Sequence, residues 1–350
     1  MSSVHPAVQA AMSRKEKAIK WSLVIAVAAV LALLMLMILV ATAGVGVLPL
    51  AILLAFFPLP LYLAYALWID RYEPEPRWLL LVIFLWGALV AVTIAFILGL
   101  IGEWIVGESL GKGAAEVYGG SISAPVVEEG AKAAVLLLIF WKRRWLFNGP
   151  LDGAVYAILV GLGFTVTEDA LYYAQGAAED GVPGALFTFV VRGVLSPFGH
   201  PLYTAMFGIG LGLAARATSR WMKIGAPIVG FALAVGLHSL WNSAGDLLAI
   251  LYILFFIPLL IAMTVLGIVA MRRESRIIRD YLPPDVVPRE EAKRLYSVRT
   301  RLRDSIDAFR KGGLRGFRER EKYVRAVSEV AFQRYRTTSH SGVAVEREVA

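Results

Sequence analysis

The sequence predicts an all-α fold: a polytopic helical membrane bundle of about eight transmembrane helices with both termini cytoplasmic. Three observations carry this. Hydrophobic residues make up 58% of the 350-residue chain and charged residues 18%, with a mean hydropathy of +0.66, whereas soluble domains are about half apolar and a quarter charged. Several uncharged runs are long enough to span a bilayer. Lys and Arg are also distributed unevenly between alternate loops, as cytoplasmic and external loops require.

The elements follow in order. No charge occurs between Lys20 and Asp70, a run of 49 residues. That is too long for one span of about 20 residues, and Gly44, Gly46 and Pro49 divide it. Helix 1 is expected at 21–43 and helix 2 at 48–69. Arg14, Lys15, Lys17 and Lys20 resemble the basic start of a signal peptide, but the apolar run exceeds a signal h-region of about 7–15 residues, so an uncleaved anchor is expected. Asp70–Arg77 is a proline-punctuated loop before helix 3 at 78–101. Glu103–Gly120 reads as a loop with a short interfacial helix. Helix 4 is expected at 121–141, and helix 5 at 152–175 with Asp152 as its N-cap. Residues 184–215 form helix 6, broken at Ser196-Pro197-Phe198-Gly199. Helices 7 and 8 follow at 224–244 and 247–270.

With eight crossings, one set of loops and the N-terminal flank hold twelve Lys/Arg and the opposite set only Lys112. The resulting organisation is a cytoplasmic segment 1–20, a transmembrane domain 21–271 and a basic cytoplasmic tail 272–350. The tail carries 20 Lys/Arg and 12 Asp/Glu, so it accounts for the whole net charge of +8. Beside a membrane, such a tail suits anionic lipid rather than nucleic acid. It is expected to be a solvated appendage with a helix at 289–310, an interruption at Gly312-Gly313 and a second helical stretch to 336. Removing it after Arg279 is expected to leave the membrane fold intact, because every intramembrane polar stripe precedes it.

Charged residues inside spans cost about 2.5–3.5 kcal/mol each, so they are rare and functional by default. Here the charged and strongly polar residues fall on four consecutive helices: Glu128, Glu129 and Lys132; Glu168 and Asp169; Arg192 and His200; His238 and Asn242. Glu128 and Lys132, and His238 and Asn242, are four residues apart and share helix faces. Lys132 and Arg192 read as ion-pair partners. Three of the stripes lie at similar depth, which predicts a polar cavity opening toward the extracytoplasmic face. There is no cysteine, so thiol catalysis and cysteine-ligated metal are excluded. Glu128, Glu129 and Glu168 with His200 and His238, three carboxylates and two histidines, match what metal binding or water activation requires.

Glu128-Glu129-Gly130-Ala131-Lys132 (E-E-x-x-K), Phe164–Glu168 (F-x-x-x-E), His200 with its following glycines and His238–Asn242 (H-x-x-x-N) occur in order on successive helices. Together they resemble the PrsW family of intramembrane proteases, distantly similar to the C-a-a-X prenyl-protease and bacteriocin-processing membrane proteases. The resemblance covers about 120–245. It implies peptide-bond hydrolysis in a membrane protein substrate, such as a single-pass anti-sigma-factor-like protein, with Glu128, Glu129, Glu168, His200, His238 and Asn242 at the site. Two mechanisms remain open. Glu168, His200 and His238 hold zinc while Glu128 or Glu129 is the base. Alternatively no metal is used, a glutamate and the histidines activate water directly, and His238 with Asn242 stabilises the oxyanion. A proton-coupled transporter and a non-catalytic peptide-binding scaffold are the competing classes.

Overall fold

The structure is a computed structural model that describes residues 6–196 and 198–341. It is helical throughout, with no strand among the described residues. The helices are α1 Pro6–Ala43, α2 Leu48–Phe56, α3 Leu59–Ile69, α4 Arg77–Leu85, α5 Val92–Leu110, α6 Lys112–Tyr118 and α7 Ala124–Lys142. They continue with α8 Pro150–Phe189, α9 Gly199–Arg216, α10 Arg220–Asn242, α11 Leu248–Leu251, α12 Ile257–Tyr281, α13 Arg289–Tyr296 and α14 Val298–Ser341. A π-helical turn, Trp86–Ala91, joins α4 to α5.

Among the described residues six segments are long and apolar enough to cross a membrane: Ile25–Ala43, Leu48–Ile69, Arg77–Leu110, Pro150–Arg216, Arg220–Asn242 and Ala249–Tyr281. α7 is not among them because Glu128, Glu129, Lys132 and Lys142 interrupt its apolar composition. The 67 residues of Pro150–Arg216 are two antiparallel arms. Asp180 and Gly181 leave helical geometry, Gly181 at φ 68°, a region that only glycine enters without strain.

Beyond that turn the chain returns along α8 in constant register. Gly184 lies against Gly176, Pro201 against Gly161, Gly208 against Gly153, and Gly212 against Gly149, while Arg192 pairs with Asp169. Ser196 and Phe198 both leave helical geometry on the return, and Pro197 lies outside the described residues. Small residues let helix backbones touch where lipid gives no hydrophobic drive for association. A Cβ on Gly153 would sit 1.9 Å from the Gly208 carbonyl oxygen, and one on Gly208 2.0 Å from that of Gly153. Gly210 faces the other way, toward Ala226 of α10. The alternating glycines of α9 therefore seat it between α8 and α10, the two helices whose polar residues it must meet. Gly153→Ala should lower stability by about 1–3 kcal/mol, read as a lower Tm in detergent. Gly236→Ala, where a Cβ meets nothing within 4 Å, should leave Tm unchanged.

Three expectations are corrected. α5 runs on to Leu110, so Glu103 and Glu108 are helical and the irregular break moves to Gly111, at φ 88°. α8 starts at Pro150 with Gly149 as N-cap. Asp152 is thus in the first turn, where its carboxylate accepts the Asn148 N–H and complements the positive helix end. The tail is not a solvated appendage. The chain forms two compact units, one of Met1–Leu63 with Trp78–Leu248 and one of Ala64–Arg77 with the chain from Ala249. The second has its own core of Tyr72, Met271, Ile278, Leu295, Val327 and Phe332. Arg301, 5% exposed, donates to the Arg71 carbonyl and to Ser328, and Arg336 pairs with Glu73. Burial holds the Arg301 guanidinium down at about 10. Charge density concealed this core from a reading by composition.

Candidate active site

Four helices of the first unit bring their polar stripes together. On α7, Glu128, Glu129 and Lys132 point inward, Lys132 fully buried. Its ammonium lies 2.9 Å from Glu129 Oε1 and 3.4 Å from Glu128 Oε2, and 3.7 Å over the Phe164 ring. It also lies 2.9 Å from His200 Nδ1. The Trp86 indole donates to the Ala131 carbonyl at 2.9 Å, which fixes the rotation of α7 between the two glutamates and Lys132. On α8, Glu168 and Asp169 share Arg192: its guanidinium pairs with Glu168 and reaches Asp169 Oδ1 at 2.6 Å. Tyr173 donates to the other Asp169 oxygen. Lys132 and Arg192 are ion-pair partners, as their positions in the sequence suggest.

The hydrogen bonds assign the imidazole tautomers. An ammonium can only donate, so His200 Nδ1 accepts from Lys132, and Nε2 carries the proton given to Glu168 Oε2 at 2.7 Å. A carboxylate can only accept, so His238 Nδ1 donates to Glu129 Oε1 at 3.2 Å. Each histidine is thus oriented by one carboxylate. His200 Nδ1, which Lys132 already engages, and His238 Nε2 lie 3.9 Å and 3.7 Å from Glu128 Oε2. Thr204 donates to the second oxygen of Glu129 at 2.8 Å, and the Tyr203 ring stacks on His238.

This donor set suits a metal ion. One ligand atom from each of Glu128, His200 and His238 lies within 4.8 Å of the others. Two imidazole nitrogens and one carboxylate form a common open zinc site, and metal-bound histidines typically give their other nitrogen to a carboxylate. Formal charge agrees: among the described residues Glu128, Glu129, Glu168 and Asp169 pair with the fixed cations Lys132 and Arg192, so with both imidazoles neutral two negative charges remain that a divalent cation would balance. The zinc mechanism left open by the sequence used Glu168 with the two histidines; in the structure Glu128 is the carboxylate grouped with them, and Glu168 is engaged by Arg192 and His200. A cleft beside the cluster is lined by Thr165, Glu168, Arg192, His200, His238 and Asn242. Asn242 is at its exposed edge and donates to the Gly120 carbonyl at 2.8 Å.

Residues 75–263 match the family described as PrsW family intramembrane metalloprotease. The chain belongs to this family. Among its relatives, the Protease PrsW of Geobacillus kaustophilus is 32% identical over 152 residues, which cover 43% of this chain and 60% of the relative. That of Clostridioides difficile is 31% identical over 156 residues, covering 45% and 62%. That of Shouchella clausii is 27% identical over 229 residues, covering 64% and 97%. The alignments thus span about six-tenths of the first two relatives. No solved structure matches. Membership and the apolar helices make the chain a multi-pass membrane protein.

All four PrsW-like motifs contribute to one cluster, and two contributors went unread in the sequence. Tyr203 and Thr204 are three and four residues after His200, hence on its helix face. That spacing was the available signal, but a tyrosine and a threonine in an apolar helix carry no charge to draw notice.

Proposed function

We propose that the chain is an intramembrane protease that hydrolyses peptide bonds of membrane proteins near the extracytoplasmic face. The observation that carries this reading is the paired orientation of two buried imidazoles by Glu129 and Glu168, which leaves His238 Nε2 and His200 Nδ1 3.7 Å and 3.9 Å from the Glu128 carboxylate. Bundle packing alone does not require such an arrangement. It is what water activation beside a carbonyl requires. The relatives, each named a protease, support the same reaction class.

In this reading Glu128, His200 and His238 would hold a zinc ion, which when bound would supply a Lewis acid for the carbonyl and for water, with Glu129 left as the carboxylate that takes the water proton. Glu129 and Glu168 set the two ring orientations, and Arg192 and Asp169 hold Glu168. Asn242, one turn beyond His238, offers its amide to the developing oxyanion after leaving Gly120. One observation favours a second, metal-free route: the Lys132 ammonium already lies within 3.4 Å of Glu128 and 2.9 Å of His200 Nδ1. There Glu128 takes the water proton directly, and the ammonium supplies the positive charge. Both routes suit a single-pass substrate, anti-sigma-factor-like in architecture, whose scissile segment unwinds at the cleft.

The test uses purified full-length protein, a single-pass membrane substrate and mass spectrometry of the products, with and without chelator. Cleavage that stops in chelator and returns with zinc is expected for the metal route. Undiminished cleavage in chelator selects the metal-free route. Absence of cleavage across single-pass substrates, with Glu128-dependent proton or solute flux instead, overturns the protease reading.

A further inference from the structure

The second unit carries an exposed surface that neither the site nor its core uses. α14 is a hairpin of two helices rather than one rod. Gly313, at φ 57°, leaves helical geometry, and a Cβ on Gly316 would come within 2.4 Å of the Ala308 carbonyl oxygen, so the arms meet closely at the turn. Arg301, Asp304 and Ser305 of the first arm face the second, bonding Ser328, Arg320 and Glu321.

The outward side of that arm is apolar. Leu302, Ile306 and Phe309 are 53%, 42% and 50% exposed. At spacings of four and three they form one stripe about 60° wide, at about 100° per residue. Arg299, Arg303 and Arg310 lie along one edge of it, about 60–100° round from Leu302 by the same rotation. All three are exposed. Leu314, just past the turn, is 65% exposed. Between residues 299 and 318 there are seven Lys/Arg and two Asp/Glu.

We propose that this first arm lies in the interfacial plane of an anionic bilayer, with Leu302, Ile306 and Phe309 among the acyl chains and the arginine edge at the phosphates. The charge pattern decides between occupants. A narrow apolar stripe bordered by arginines matches a layered partner, apolar inside and anionic at the boundary, because the long arginine stems cover apolar surface while the guanidinium stays at the polar edge. The chain is anchored in a bilayer, so that partner is present at high effective concentration without a second binding event. The proposal is independent of the protease reading, since it uses no residue of the polar cluster.

The chain contains no cysteine, so one introduced thiol takes a nitroxide label at a single place. Full-length Ile306→Cys and, separately, Phe309→Cys are labelled and placed in nanodiscs of phosphatidylcholine, with or without phosphatidylglycerol. Lys322→Cys, exposed on the other arm, is the reference. In anionic discs the labels at 306 and 309 should shift from water-like to lipid-like oxygen accessibility while the reference stays water-like. High salt, or Arg299→Gln, Arg303→Gln and Arg310→Gln combined, should return them to water-like values. Water-like labels in both lipids overturn the proposal. So does equal immersion in neutral and anionic lipid, which removes the role of charge. Spin–spin broadening between labels would assign the face to a second copy of the chain instead.

Discussion

Glu128→Gln and His238→Ala should each reduce cleavage of a membrane substrate by about 10²–10⁴-fold, the usual contribution of a positioned acid or base. The protein should still insert and fold. Glu128 keeps its shape as Gln but loses the charge that lies 3.7 Å from His238 Nε2 and 3.9 Å from His200 Nδ1. His238→Ala removes one of those nitrogens outright. Glu129→Gln and His200→Ala should also abolish turnover, because Glu129 orients His238 and binds Lys132 and Thr204. Substrate loss in a gel assay and product masses give the rates, and size-exclusion elution with Tm reports folding. Wild-type cleavage in all four variants would mean that the polar cluster is structural.

Lys132→Met should act on stability first. The side chain is fully buried between two glutamates and above the Phe164 ring. Removing one member of a buried ion pair costs about 3–5 kcal/mol, because the partner charge stays behind unpaired. Thermal unfolding in detergent should show a clear fall in Tm, larger than for Glu128→Gln, which removes a negative charge from a cluster with two in excess. Zinc should recover part of that loss if Glu128 and His200, freed of the ammonium, take up the ion. An unchanged Tm would show that Lys132 is not the balancing charge.

Much of this was legible before any coordinates. Uncharged runs locate helices because bilayer thickness sets their length, and the cost of intramembrane charge singles out four helices. Spacing on each helix then identifies Glu128 with Lys132, and His238 with Asn242. What spacing cannot supply is contact between helices. Whether Glu168 meets Glu128 or Arg192 depends on the register of the return arm, set by Gly153, Gly161, Gly208 and Gly212 at distances no one-helix pattern encodes. Hence the zinc mechanism left open by the sequence contained Glu168, whereas the grouped atoms belong to Glu128, His200 and His238. The core of the second unit was hidden for a different reason. Its apolar positions, such as Ile278, Leu295 and Val327, are scattered among arginines across four separate segments, so no local run announces them.

The central claim, that the cluster hydrolyses a peptide bond with water, is tested most directly by cleavage in ¹⁸O-labelled water. Wild-type protein in nanodiscs should convert a single-pass substrate into two fragments, with one heavy oxygen in the new C-terminal carboxylate. Glu128→Gln should yield neither fragment. Fragments from wild type that carry no label, or equal labelled fragments from wild type and Glu128→Gln, would contradict the account.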